Sequence, residues 1–207
     1  MTRTKPGRTG STPSSVKHKY RTLMKIGYEP SHEKEEKLVQ EAGYIKDHEL
    51  SQKKDKVYYH PQEKKAYVVY KGTNPTDLRD VATDMALAFG FEKYTPRFRQ
   101  AKRLARRAEE KYGKNQVEAV GHSLGGSLAT ESGLSTRVTL NKGVGLGGIG
   151  RQLRRGQIDY RSPNDVVSLL SSFSSYKNKS GDAGGTHAEK VGGNRLPWNS
   201  HGLDVLQ

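Results

Sequence analysis

The chain has 207 residues, 36 Lys or Arg against 22 Asp or Glu, a formal net charge of +14 and an isoelectric point near 9.8. The absence of cysteine excludes disulfides, thiolate catalysis and thiolate metal ligands. A hydrophobic content of 32% and a mean hydropathy of -0.88 suit one α/β domain with a modest core, and no window approaches the roughly 18 apolar residues of a membrane span.

Residues 1–15, MTRTKPGRTGSTPSS, read as a flexible basic tail, with a single domain over 16–207. No apolar stretch follows the start, so no standard secretory signal is expected. The first 21 residues carry Arg3, Lys5, Arg8, Lys17, Lys19 and Arg21 and no acid. A short helix is expected from Lys17 to Ile26. A second should open at the cap Ser31, carry acids in its first turn, bury Leu38, Val39 and Ala42, and end at Gly43. Val57-Tyr58-Tyr59 and Ala66–Tyr70 form an expected hairpin, the second run apolar throughout like a central strand. From Arg97 to Tyr112 the spacing predicts a helix with Phe98, Ala101, Ala105 and Ala108 on one face. Arg99, Arg103, Arg106 and Arg107 spread over the rest. NQVEAV is expected as a strand, LGGSLATESGL as a helix, RVTLN and QIDYR as further strands, and 171–194 as a long irregular segment. Strands alternating with helices argue for an α/β sheet core.

The densest chemical signal is VGHSLGG, residues 120–126. Gly121-His122-Ser123-Leu124-Gly125 is G-x-S-x-G between an expected strand and an expected helix. In that context the glycines remove side chains where the turn is crowded, Ser123 projects outward at the top of the sheet, and the Leu124 N–H points at a developing oxyanion. The bland alternative is a glycine-rich turn. His122 reads as a packed, hydrogen-bonded structural histidine. A serine nucleophile needs an imidazole base oriented by a carboxylate, in the chain order Ser, acid, His. The acids after Ser123 are Glu131, Asp159, Asp165, Asp182, Glu189 and Asp204, and the histidines are His187 and His201. Asp165, in the loop SPNDVV, is preferred over Asp159, which reads as a strand surface residue. His201 stands between the apolar anchors Trp198 and Leu203 and is preferred over His187.

With these residues in place the chain resembles the class 3 lipases, fungal-type triacylglycerol lipases and related phospholipases of the α/β-hydrolase fold. The likeness rests on YVVYKGT, GHSLGG, SPNDVVS and NSHGLD in the family order. It implies a mostly parallel central sheet flanked by helices, with Ser123 as nucleophile, Asp165 as acid and His201 as base. It also implies Thr73 as the second oxyanion donor beside Leu124, a structural role for Asp77, Asp80 and Asp84, and a short lid at MALAFGF presenting Met85, Leu87, Phe89 and Phe91. The family arginine before Gly-Ser or Gly-Thr is Lys71 here, which loses the planar fork. The length and the lack of disulfides fit the compact viral and microbial members.

The implied reaction is hydrolysis of lipid esters by a Ser-Asp-His triad, with no cofactor and no metal. The expected substrate is a lipid ester at an anionic membrane surface, because a basic protein is drawn to acidic head groups. The same bases suit nucleic acid, through the tail above all. The alternatives are a basic nucleic-acid-binding or structural protein that keeps a hydrolase fold, and a soluble esterase or thioesterase. An esterase carried in a virus particle would reconcile lipid and nucleic acid as partners; the localisation stays open between that and the cytoplasm.

Overall fold

The computed structural model describes residues 13–72, 96–142, 156–161 and 187–190. Helix α1 spans Pro13–Tyr28 and α2 His32–Glu41, followed by strands β1 (Ile45–Lys46), β2 (Asp55–His60) and β3 (Lys65–Tyr70). Then come α3 (Pro96–Tyr112), β4 (Val117–His122), α4 (Leu124–Glu131), β5 (Thr136–Leu140), β6 (Gln157–Arg161) and β7 (His187–Lys190). The strands form one sheet in the order β1 to β7. The pairs β1–β2 and β2–β3 are antiparallel, and every pair from β3 to β7 is parallel. This is the mostly parallel α/β-hydrolase sheet flanked by helices that the sequence led us to expect.

The layers follow from connection geometry. From β3 to β4 to β5 the chain steps one way across the sheet, so crossovers of the usual right hand place both intervening helices on one face. The packing puts them there. Phe98, Ala101, Leu104, Ala105 and Ala108 of α3 and Leu128 and Ala129 of α4 meet Val57, Ala66, Val68 and Tyr70. The opposite face is covered from before the sheet: Tyr20, Leu23 and Met24 of α1 and Val39 of α2 pack on Tyr67, Val69, Val120, Val138 and Leu140. Strand β3 is therefore buried on both sides, which explains its unbroken apolar run.

The local detail corrects several expectations. Helix α1 extends beyond 17–26 at both ends. Ser31 caps α2 as anticipated, its hydroxyl accepting from the Lys34 N–H at 3.3 Å, and Gly43 follows with φ of 79°. Leu38, however, is exposed, and the buried positions of α2 are Glu35 and Val39. Glu35 is held inside by Lys46 Nζ at 2.9 Å and the Tyr58 hydroxyl at 2.8 Å. Apolar pattern alone does not reveal a buried ion pair, because the charge is matched by residues distant in the chain. The segment 171–194 is not wholly irregular, since it holds β7. His187–Lys190 pairs in parallel with β6, Ile158 opposite His187.

Among the described residues no helix is long and apolar enough to cross a membrane. Of the expected tail at 1–15, residues 13–15 belong to α1 and 1–12 lie outside the described residues, as do the expected lid residues at 85–91 and Asp77, Asp80 and Asp84.

Candidate active site

Strand β4 ends at His122, α4 begins at Leu124, and Ser123 alone makes the turn, with φ of 57° and ψ of -127°. A serine rarely adopts positive φ, and a residue held in so sparse a region costs about 1–3 kcal/mol. The turn is over-determined by its surroundings. The Ser123 N–H donates to the Leu140 carbonyl at 3.0 Å, and the Ser123 carbonyl accepts from the Gly126 N–H at 2.9 Å.

The glycines are required by contact. A Cβ on Gly121 would lie 2.1 Å from the Gly125 oxygen, and one on Gly125 would lie 2.0 Å from the Tyr70 oxygen. Helix α4 thus starts against the backbone of β3 and β4, and only glycine permits the approach. Ser123 is fully buried, contrary to the expectation that it projects outward, and its Oγ has no hydrogen-bond partner among the described residues. A buried hydroxyl without a partner among the described residues, on a strained turn, is a rare combination.

Beside the Ser123 turn, Gly72 at the end of β3 packs directly on it. A Cβ there would meet the His122 oxygen at 2.6 Å and the Gly125 nitrogen at 3.2 Å. Tyr28, the last residue of α1, ties the two strand ends together. Its hydroxyl accepts from the Gly72 N–H at 2.9 Å and shares a 3.2 Å hydrogen bond with Nδ1 of His122. The rings of Tyr28 and His122 meet edge to face at 5.7 Å. Burial pushes the Tyr28 phenol well above its ordinary value, with the Gly72 N–H opposing, so the hydroxyl stays neutral. His122 is fully buried on this hydroxyl, the packed structural histidine expected.

Lys71, where the resembled family has arginine, places Nζ 5.3 Å from the Tyr28 ring centroid. Burial lowers its pKa, and repulsion from Lys56 and Lys54 lowers it further. Arg97, in the first turn of α3, grips Asp55 with both arms of its guanidinium and donates to the Lys71 carbonyl at 3.2 Å. The fork that Lys71 cannot provide is thus present nearby on another residue.

Residues 17–140 match the phospholipase-like family described as the Tle-like phospholipase domain, a span of more than half the chain. The chain belongs to that family. This Tle-like phospholipase domain also superposes on the crystal structure of the Lip2 lipase from Yarrowia lipolytica with a TM-score of 0.51. That match covers 76% of this chain and 73% of the other at 16% identity, so the likeness is one of fold. No curated protein matches the chain. The lipase/phospholipase kinship read from the motifs therefore holds, and a hydrolase of esters is its coarse consequence.

In this Tle-like domain, of the residues expected to form the site, Ser123 and Leu124 are at the turn just described, while Thr73, Asp165 and His201 lie outside the described residues. Their attachment points are described. Thr73 follows Gly72 directly, and consecutive Cα atoms are 3.8 Å apart. Asp165 comes four residues after β6 and His201 eleven after β7, and both strands run parallel to β4. Their C-terminal ends therefore face the same edge as Ser123, and eleven residues reach at most about 36–40 Å.

Asp159 is corrected: it is fully buried in β6, not a surface residue. It accepts from Thr139 Oγ1 at 2.6 Å and Gln157 Nε2 at 2.9 Å and pairs with buried Lys142 at 2.8 Å. Such a carboxylate is committed to the interior. His187 is likewise corrected in its backbone, which is fixed by pairing in β7. Tyr28, Arg97 and the Lys142–Asp159 pair were missed by sequence reasoning, because each acts through a partner remote in the chain or unmarked by any motif. Among the described residues no group of His, Asp or Glu is placed to hold a metal ion.

Proposed function

We propose that the chain is a serine carboxylic-ester hydrolase acting on lipid esters, phospholipids foremost, at an anionic membrane surface. The observation that carries this reading is the Ser123 hydroxyl, buried, unpartnered among the described residues and held at positive φ between a parallel strand and a helix. Membership of a phospholipase-like family supports the substrate class.

In this mechanism His201, oriented by Asp165, takes the proton of Ser123 as Oγ attacks the ester carbonyl carbon. The carbonyl oxygen becomes an oxyanion held by the N–H of Leu124 and by the N–H and hydroxyl of Thr73. The position of Gly72 against the turn supports that placement of Thr73. His201 then protonates the departing alcohol. Water, deprotonated by His201, attacks the acyl-enzyme, and His201 returns that proton to Ser123 Oγ as the fatty acid leaves. Each oxyanion donor typically contributes about 3 kcal/mol.

The test is turnover of short-chain and long-chain esters and of phospholipid vesicles by the natural protein and by Ser123→Ala, together with covalent labelling by a fluorophosphonate. Loss of labelling and a rate loss on the order of a million-fold are expected for the variant. Equal turnover by the two proteins would end the reading.

A further inference from the structure

Helix α3 opens with bases and no acid in its first turn, although Lys111 stands in its last. Positions 96–108 hold Arg97, Arg99, Lys102, Arg103, Arg106 and Arg107 and no acid, and Glu109 and Glu110 follow near the C-terminus. The helix dipole favours acids at the start and bases at the end, so this order works against the helix itself. Arg97 is engaged with Asp55. Arg99, Lys102, Arg103, Arg106 and Arg107 are exposed. Arg106 pairs with Glu110 at 3.4 Å and Arg107 with Glu49 at 3.7 Å. Lys102 and Arg103 have no ion-pair or hydrogen-bond partner among the described residues.

These bases lie beside others. The Arg97–Asp55 fork and a hydrogen bond from Gln100 to Gln52 hold the turn before β2 against the first turns of α3. That turn presents Lys53 and Lys54, both exposed and without a partner among the described residues. Asp55 is opposite Tyr70 in the antiparallel pair, so the turn is at the edge where the parallel strands end and Ser123 sits. Helix α3 begins at the same edge, with Lys102 about 9 Å along its axis. Lys71 completes the group, its ammonium destabilised by burial and then by Lys56 and Lys54. The carboxylates of Glu29 and Glu35 act on Lys71 in the opposite sense, and Asp55 is paired with Arg97.

We propose that Lys53, Lys54, Lys71, Arg99, Lys102 and Arg103 form a cationic rim that docks the protein, catalytic edge first, onto an anionic lipid surface. The proposal deepens the lipid-ester reading and rests on it for the choice of lipid over other polyanions. A rim of this kind brings the nucleophile turn to the bilayer by charge, and each base at an anionic surface contributes about fivefold in partitioning.

The experiment uses the full chain carrying Ser123→Ala, so that vesicles stay intact. Sedimentation is compared on vesicles of phosphatidylcholine alone and of phosphatidylcholine with phosphatidylglycerol. The rim variant carries Lys53→Gln, Lys54→Gln, Lys102→Gln and Arg103→Gln, all exposed positions. A charge-matched control carries Lys34→Gln, Lys37→Gln, Lys64→Gln and Lys114→Gln, of which Lys64 and Lys114 lie at the opposite edge of the sheet. The parent should bind anionic vesicles in a salt-sensitive manner. The rim variant should lose binding by two to three orders of magnitude, and the control by much less. Equal losses in rim and control variants would overturn the proposal. So would a parent that ignores anionic vesicles while binding duplex DNA through the same residues. Hydrolysis of a monomeric soluble ester by the rim variant with Ser123 intact separates the two claims. It should match the natural protein, and no turnover by either protein would fault the hydrolase reading and leave the vesicle result to judge the rim.

Discussion

Replacing Tyr28 by phenylalanine removes one oxygen and unties two strand ends. The hydroxyl accepts the Gly72 N–H at 2.9 Å and is bonded to His122 Nδ1 at 3.2 Å. A buried N–H left without a partner costs about 1–3 kcal/mol, and the second bond adds about 1 kcal/mol, giving roughly 2–4 kcal/mol. For a domain of this length that corresponds to a fall in melting temperature of roughly 5–15 °C. The larger consequence is geometric. Gly72 leads directly into Thr73, so freeing its N–H loosens the proposed oxyanion donor against Ser123. A loss of one misaligned donor predicts kcat down by roughly 10–100-fold with KM little changed. The assay is steady-state ester hydrolysis well below the melting point, with thermal melts in parallel. Tyr58→Phe is the comparison, since it also loses a buried hydrogen bond, to Glu35 at 2.8 Å, away from the turn. It should lose stability and keep kcat. If Tyr28→Phe loses stability but retains kcat as Tyr58→Phe does, the hydroxyl holds the fold and does not position the site.

Other outcomes follow from the same contacts. Ser123→Gly should abolish turnover yet melt above Ser123→Ala by about 0.5–2 kcal/mol, because glycine accepts φ of 57° without strain; a glycine variant no more stable than the alanine one would show that the turn is unstrained. Asp159→Asn leaves Lys142 charged in the interior and should destabilise by about 3 kcal/mol in urea melts, with partial recovery when Lys142→Met is added; an additive double variant would speak against coupling. Glu35 governs part of the acid response. Burial raises its pKa, but hydrogen bonds from Lys46 and Tyr58 and the charge of Lys56 outweigh it and hold the carboxyl below its ordinary 4.5. A folded value below the unfolded one means the stabilisation is complete above about pH 4.5 and disappears as pH falls through the lower folded value. Denaturant melts of Glu35→Gln should therefore show lower stability at neutral pH and a shallower decline into acid, and an unchanged acid slope would assign that decline elsewhere.

The parts of the molecule legible in the sequence are those with short-range causes. The strand-to-helix turn at Ser123 announces itself within seven residues, since the contacts that demand glycine at 121 and 125 involve the turn itself and the adjoining strand. The buried side of α3 follows from helical period alone, and Phe98, Ala101, Ala105 and Ala108 are all buried. The hairpin and the central strand follow from their apolar runs. Leu38 misled because a weak stripe on a charged helix has two readings, and the structure chose the one that buries Glu35 with Lys46. Asp159 misled because a lone aspartate in a strand normally faces water, and only the neighbouring strand supplies Lys142 and Thr139.

Residue order by itself determined the α/β class, the lipase-like kinship and the serine at the strand-to-helix turn, because period, turn chemistry and close glycine contacts act over a few residues. Tertiary structure alone decided that α1 brings Tyr28 between Gly72 and His122, 44 and 94 positions away. It alone brought Lys53 and Lys54 beside the bases of α3 at the edge that holds Ser123. Those arrangements depend on which surfaces the sheet buries together, and no local pattern encodes a contact between segments that meet only after the core has closed.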